Sequence, residues 1–417
     1  MERRETGRLL CEILSGRDMP KARLATLSPS DGASLVDFAC VSNVGGLFYR
    51  EVKSRRFLAE CIPDDARNRL REAYRNVATT NTSLFLDASI ALKALAGNGV
   101  PVIALKGLSV AKSIYGDIAL RPMSDMDLLV KEEDLVRAGR ILLTLGYKQS
   151  VPAWESMLKT VEHLPHFTNK NGATIEVHWS IVTPNSPIEV DHDGLWARAC
   201  RIAVEDVEVL ALSPEDLFLH LCIHACHHLE TGLGLMPLCD LAGVLRTSAG
   251  RIDWRIVMER TACWGGRKCV YLMLRLVQEL LGAAPPDEII SAMTPDDYQP
   301  VFLDEALKQV FDADVRPSGQ LLATRIGQLA RIGQARGIKG KVLALLERAF
   351  PSREHLARLY PVSVSSPKIY LCYLLRLGRL IGYYTIVLLR LLRRNQSVTR
   401  AVNQERRMRA VSDWMFS

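Results

Sequence analysis

Aromatic residues are scarce, at 6% of 417 positions, and the text is instead rich in Leu, Ala and Arg, which leans towards helix. The ten cysteines, at 11, 40, 61, 200, 222, 226, 239, 263, 269 and 372, include no Cys-x-x-Cys pair and no regular spacing. That excludes a disulfide scaffold and points to a reducing compartment. No stretch reaches about 18 uninterrupted apolar residues, so no membrane-spanning helix is expected. Met1-Glu-Arg-Arg-Glu carries both signs of charge with no apolar region behind it, which argues against a secretory signal and for a cytoplasmic chain. No fixed-period repeat is present, which sets solenoids aside. With 48% hydrophobic and 24% charged residues the chain is neither disordered nor fibrous, and it is too long to be a small binding module. At roughly 100 to 200 residues per domain it holds about two or three.

The charge is unevenly placed. From Lys368 onward there are ten basic residues against Glu405 and Asp413, a net +8, whereas the whole chain is +7. The basic character therefore belongs to one tail. At 100° per residue, Lys368, Arg376, Arg379, Arg390, Arg393 and Arg394 fall within about a 100° arc of one helix, with Leu and Ile filling the rest. Such a helix suits a membrane surface, an acidic partner, or docking on the fold with the basic stripe outward. Docking is the expectation, with the stripe left for a weak, salt-sensitive partner and peripheral attachment at a membrane as the alternative.

Four regions are legible: N-terminal helices over 1–98, an α/β core over 99–212, a helical region over 213–360, and the basic amphipathic helix and tail over 361–417. Leu9, Leu10, Ile13 and Leu14 share a helical face, and a second helix starts after Ser28-Pro-Ser-Asp31. A long helix runs from Pro63-Asp-Asp through Leu70, Leu84, Leu86 and Ile90 to Leu95, stopped by Gly97-Asn-Gly99. The period then changes. Val100–Leu105 is a short β-branched run, Gly107–Tyr115 returns to helix, and Asp125–Val130 is a second strand. A helix over 132–145 and a strand near Tyr147 follow. His166–Asn169 and Ala173–Trp179 flank Asn171-Gly172, a strong hairpin signal. Beyond Ser213-Pro-Glu-Asp216, a helix start with Ser as cap and Pro at the first position, the pattern is helical, with segments near 240–245, 254, 267–282, 318–333 and 338–350.

Three acids on two strands stand out. Alternation puts Asp125 and Asp127 on one side of their strand, about 6 to 7 Å apart. If the hairpin strand lies beside it, Glu176 completes a carboxylate site for Mg²⁺ or Mn²⁺, hard ions that prefer oxygen donors. Gly107 permits close backbone approach to a phosphate, Ser109 offers a hydroxyl, and Lys106 is a natural countercharge. Arg121 is placed either to hold phosphate bidentately or to pair with Asp117 or Asp125. His178 falls on the same face as Glu176.

Leu105-Lys-Gly107, Tyr115, Arg121, Asp125-x-Asp127-Leu-Leu-Val, Gly146-Tyr147 and Glu176-Val-His-Trp179 resemble the nucleotidyltransferase superfamily of the polymerase-β type. More narrowly, they resemble the uncharacterised bacterial group called nucleotidyltransferase family 5. The resemblance runs from the N-terminal helices to about residue 285, including the region of His220, His224, His228 and Asp240, and fades over the last 130 residues. Where the superfamily turn usually has Gly-Gly or Gly-Ser, this chain has Lys106-Gly107-Leu108-Ser109.

The resemblance implies an α+β fold, a small mixed-sheet nucleotidyltransferase core between N-terminal helices and a mostly helical C-terminal region. It also implies an enzyme that moves a nucleoside monophosphate from an NTP to an unidentified acceptor, whether small molecule, peptide or RNA. Asp125 and Asp127 would be metal ligands, and Glu176 a third ligand or general base. Lys106, Gly107, Ser109 and Arg121 would form the nucleotide side.

His220, His224 and His228 recur every four residues on one helical face, with Asp240 a helix later. Two His at i and i+4 can share Zn²⁺, so a metal hydrolase is a rival class. The cluster has no His-Glu-x-x-His and no adjacent His-Asp, and Leu217, Leu221 and Leu238 around it suggest a packed face. His178, His224, His228 and Asp240 are therefore read as a substrate pocket or as structural. A non-catalytic scaffold that keeps the fold and binds a partner or membrane through the tail is the other alternative.

Overall fold

The computed structural model describes residues 1–17, 21–149, 161–229, 232–248, 250–312, 349–351, 353, 356, 366–392 and 396–417. Met1–Asp314 with Val411–Ser417 forms one compact unit, and Val315–Ala410 a second. The helix expected over 318–333 lies outside the described residues, as does nearly all of that over 338–350.

The first unit opens with six helices: α1 (Arg3–Leu14), α2 (Lys21–Leu24), α3 (Pro29–Val41), α4 (Gly45–Ser54), α5 (Arg56–Glu60) and α6 (Asp64–Gly97). A capping box starts α3: Ser28 accepts from the Asp31 amide, and the Asp31 carboxylate accepts from the Ser28 amide. Two acids open the first turn of α6, and Gly99 ends its exit turn at φ +69°. Its buried stripe is Leu70, Leu84, Phe85, Ala88, Leu92 and Leu95. Leu86 and Ile90 are more than half exposed, because each sits on the far side of the helix from that stripe.

The strands are β1 (Ile103–Ala104), β2 (Met126–Leu129), β3 (Lys148–Gln149), β4 (Phe167–Thr168), β5 (Thr174–His178), β6 (Cys200–Val204) and β7 (Val207–Ala211). They form one mixed sheet in the order β3-β4-β5-β2-β1-β7-β6. β2 runs parallel to β5 and antiparallel to β1, and β1 runs parallel to β7. The expected Asn171-Gly172 hairpin is present as β4–β5. Asn169 Oδ1 accepts from the amides of Asn171 and Ala173 across the turn, and Gly172 takes φ +85°.

Two elements depart from expectation. Residues 107–115 form α7 (Lys106–Val110) followed by a π-helical turn over Ala111–Tyr115. The strand expected from Asp125 begins at Met126, so Asp125 lies on the incoming loop.

Alternation on the strands sorts the core from the site. Met126 and Leu128 of β2 and Ile175 and Val177 of β5 join Leu84, Phe85, Leu92, Leu135 and Leu142, from α6 and α8 (Leu135–Thr144), in one apolar cluster. Asp127, Glu176 and His178 are thereby left on the opposite face. Next come α9 (His192–Arg198), α10 (Pro214–Leu229), α11 (Met236–Thr247), α12 (Trp254–Trp264), α13 (Arg267–Leu281), α14 (Asp287–Met293) and α15 (Pro300–Asp312). The start of α10 is as expected, with the Ser213 hydroxyl accepting from the Asp216 amide. Buried Asp216 also anchors Arg198 and Arg260 at 2.9 and 2.7 Å. Cys226 of α10 and Cys269 of α13 form a disulfide that the cysteine spacing does not reveal.

In the second unit α16 (Ile369–Leu392) packs Ile369 and Cys372 against Leu356. Its Tyr370, Leu371, Leu374 and Leu375 remain at least half exposed. α17 (Gln396–Met415) follows. Arg393 and Arg394 of the expected stripe lie outside the described residues. No helix among the described residues is long and apolar enough to cross a membrane.

Candidate active site

Parallel pairing sets Asp127 of β2 directly beside Glu176 of β5, and Leu129 beside His178. Their face opens into a cavity of about 500 Å³. Lys106, Gly107 and Arg121 line one part of it, and Asp125, Asp127, Glu176 and His178 another. His220, His224, His227 and His228 of α10 also line it, so the three acids, the Lys-Gly turn and the histidine helix meet in one place.

Asp127 is 4% exposed and is engaged through Oδ1. Lys106 Nζ lies 3.1 Å from Asp127 Oδ1, and His178 Nε2–H donates to the same oxygen at 3.0 Å while standing 3.3 Å from Glu176 Oε2. Burial opposes the charge on Asp127, yet the His178 hydrogen bond and the Lys106 ammonium hold its carboxyl far below the usual range. Glu176 is likewise held low against burial, chiefly by His178. His178 itself is raised: burial disfavours its proton, but hydrogen bonds to Asp127 and Glu176 outweigh that. Asp125 behaves oppositely. Burial, and then the charges of Asp127 and Glu176, push its carboxyl up.

Ligand atoms of Asp127, Glu176 and His178 converge within 4.8 Å of one another. Asp125 lines the same cavity but does not join that convergence, because it precedes the strand. Lys106 enters α7 at φ +23°, an unusual value for a residue with a side chain, which aims its amine at Asp127. A Cβ on Gly107 would meet Met123 Sδ at 3.0 Å and Arg121 Nη1 at 3.3 Å, so glycine is needed there for close approach.

Arg121 takes neither expected partner. Its Nε reaches both Asp240 oxygens at 3.1 and 3.0 Å, and Tyr115 Oη–H donates to Asp240 Oδ1 at 2.9 Å. Asp117 instead accepts from Tyr74 Oη–H and from the Ala119 amide. Asp240 is 1% exposed and is not among the residues lining the cavity; nor is Ser109, which is buried in α7.

His224 and His228 face the cavity with ring centroids 4.5 Å apart. Burial depresses both, and His220 is lowered to about 3. Neither ring nitrogen of His220 finds a hydrogen-bond partner among the described residues. Sequence reasoning passed over His163, which also lines the cavity and bridges β5 at His178.

The profile of a family described as uncharacterised nucleotidyltransferase matches residues 28–282, more than half of the chain. The chain belongs to that family. The matched span takes in α3 to α13 and hence the whole sheet and every cavity residue named above. The chain therefore carries the expected α+β core, and the match ends close to where the sequence resemblance fades. No curated protein and no solved structure matches the chain.

Proposed function

We propose that the protein is a metal-dependent nucleotidyltransferase that moves a nucleoside monophosphate from an NTP to an acceptor hydroxyl or similar group. The observation that carries this reading is the side-by-side pairing of Asp127 and Glu176 on adjacent parallel strands, in a cavity that also holds the Lys106-Gly107 turn. The donor set suits a hard divalent ion. Carboxylate oxygens dominate it, and burial together with the charges of Asp127 and Glu176 raises Asp125.

Asp125, Asp127 and Glu176 are the residues that would hold Mg²⁺ or Mn²⁺. Bound there, the ion supplies charge neutralisation at the phosphates and a lowered pKa for an acceptor hydroxyl. Lys106 supplies a positive charge beside Asp127, and its side chain is only 15% exposed at the cavity wall. Released from Asp127, it becomes the countercharge for a phosphate entering over Gly107. His178 positions both Asp127 and Glu176 through one nitrogen. Glu176, half-buried, either completes the ligand set or takes the acceptor proton.

Incorporation of α-labelled ATP, CTP, GTP and UTP with Mg²⁺ into small-molecule, peptide and RNA acceptors tests the proposal. Label transfer by the wild-type chain and its loss in Asp127→Asn is the expected result. Transfer unaffected by that substitution would remove the metal assignment. Glu176→Gln separates its two roles: a base variant loses turnover at unchanged metal affinity, a ligand variant loses both.

A further inference from the structure

Beside the acidic face lies a second convergence of ligands of different chemistry. His163, His166 and Glu176 place one ligand atom each within 4.8 Å of one another. Glu176 turns its two oxygens to different neighbours: Oε2 stands 3.3 Å from His178, and Oε1 stands 3.0 Å from His166 Nε2. One oxygen thus belongs to the acidic site and the other is free to serve the imidazoles. The His163 tautomer is fixed as a metal ligand requires. Its Nδ1–H donates to the Leu164 carbonyl at 2.7 Å, which leaves the Nε2 lone pair available.

We propose that His163, His166 and Glu176 form a binding site for a late first-row divalent ion, Zn²⁺ by preference, separate from the hard-ion site of the acids. Two imidazole nitrogens and one carboxylate oxygen are donors that suit Zn²⁺ and that Mg²⁺ does not favour. Tetrahedral ligands at about 2.0–2.1 Å from zinc lie roughly 3.3 Å from one another, close to the 3.0 Å between His166 Nε2 and Glu176 Oε1. Three protein ligands leave one coordination position. His163 and Glu176 both line the cavity, so the ion would sit at its edge. The site is anchored on strand β5 and on the segment bridged to it, where the Trp179 amide donates to the Glu162 carbonyl and the Leu164 amide to the Val177 carbonyl. The proposal shares Glu176 with the nucleotidyltransferase reading but does not depend on nucleotide chemistry.

Metal content of the full chain purified without chelator, together with Co²⁺ titration of the chelator-stripped protein, tests it. The expected result is one equivalent of zinc per chain and one equivalent of Co²⁺ giving the visible absorption of a tetrahedral site. His163→Ala and His166→Ala should each lose the zinc and weaken Co²⁺ binding by about 100-fold or more, whereas Asp125→Asn keeps both. His166 is half exposed, so its alanine variant folds, which an unchanged thermal melt of the stripped protein verifies. No stoichiometric metal and no Co²⁺ band would overturn the proposal. So would a band kept by both alanine variants but lost in Asp127→Asn, which moves the ion to the acidic group, or in His224→Ala, which moves it to α10. None of these outcomes depends on nucleotide incorporation, so failure of the zinc site and failure of nucleotidyl transfer remain distinguishable.

Discussion

Asp125 and Asp127 differ by two positions and stand in opposite electrostatic situations, which predicts opposite effects on stability. Asp127 is held below its usual pKa by His178 and Lys106, so the stability it contributes is present above about pH 3.8 and is lost as the pH falls. Asp125 is raised by burial and by its acidic neighbours, so its ionisation opposes folding once the pH passes about 3.8. Asp127→Asn should therefore destabilise by about 1–3 kcal/mol at pH 7, while Asp125→Asn is neutral or stabilising by up to about 1 kcal/mol. Both should lose nucleotide transfer. Urea unfolding beside the transfer assay checks this, and equal destabilisation by the two would show the asymmetry to be wrong. His220 supplies a second test. Buried and lowered to about 3, it stays neutral in the folded protein and gains a proton on unfolding below about pH 6.5. Stability thus falls with pH in that window. Between pH 6.5 and 5, His220→Phe should lose about 1–2 kcal/mol less than the wild type, and parallel pH curves would refute it. Asp127 and Glu176 stand out in the sequence because acids on β-strands are out of place without a partner, whereas Asp125 lies on the loop before its strand. The engagement of Asp127 by Lys106, 21 positions away, could not be read there, since it arises only when β1 and β2 pair.

Elements with local signals were legible and those held by distant partners were not. The Asn171-Gly172 hairpin, the Ser28 capping box and the Pro214 helix start each carry their chemistry within four residues. The β6–β7 pair was missed although Val207, Val209 and Ala211 alternate inward, because its turn at Glu205-Asp206 lacks glycine and Glu205 adopts φ +51° itself. Arg121 is the instructive case. Its partner Asp240 lies on α11, so sequence spacing offered only Asp117 or Asp125. The Arg121–Asp240–Tyr115 group ties the loop entering β2 to α11, with side chains 13% and 2% exposed for Arg121 and Asp240. Asp240→Ala should cost about 3–5 kcal/mol by stranding a buried guanidinium, while the Arg121→Met, Asp240→Leu double variant should recover most of that loss. Thermal melts through the double-mutant cycle measure the coupling. Additive losses would mean that the pair does not act as a unit.

At the scale of the whole molecule, the charge map of the sequence separates a nearly neutral chain from a tail of net +8. The structure divides that tail further. Residues Val411–Ser417 belong to the first unit, whereas α16, with its exposed Leu371, Leu374 and Leu375, belongs to the second. Trp414 is 7% exposed, stacks on Phe302 at 4.6 Å between ring centroids, and donates from Nε1 to Asp297 Oδ1 at 3.0 Å. Lys268 Nζ bonds both Asp297 and the Ser417 hydroxyl at 2.8 Å, and Phe416 stacks on His227, which lines the same cavity as Asp127 and Glu176. The last residues are therefore part of the packing of the first unit. Trp414→Ala should destabilise by about 3–5 kcal/mol and lower the melting temperature by roughly 6–15 °C, and Phe416→Ala should perturb nucleotide transfer more than stability through His227. Deleting 368–417 should combine these losses and aggregate, since it uncovers the surface around Phe302 and Tyr298. Co-sedimentation with anionic vesicles at low and high salt separates this from an anchoring role, for which each Lys or Arg near the surface would contribute about 1 kcal/mol. Weak binding abolished by salt is expected; strong binding by the full chain, together with a soluble and equally stable truncation, would make the tail an anchor and leave the Trp414 contacts without consequence.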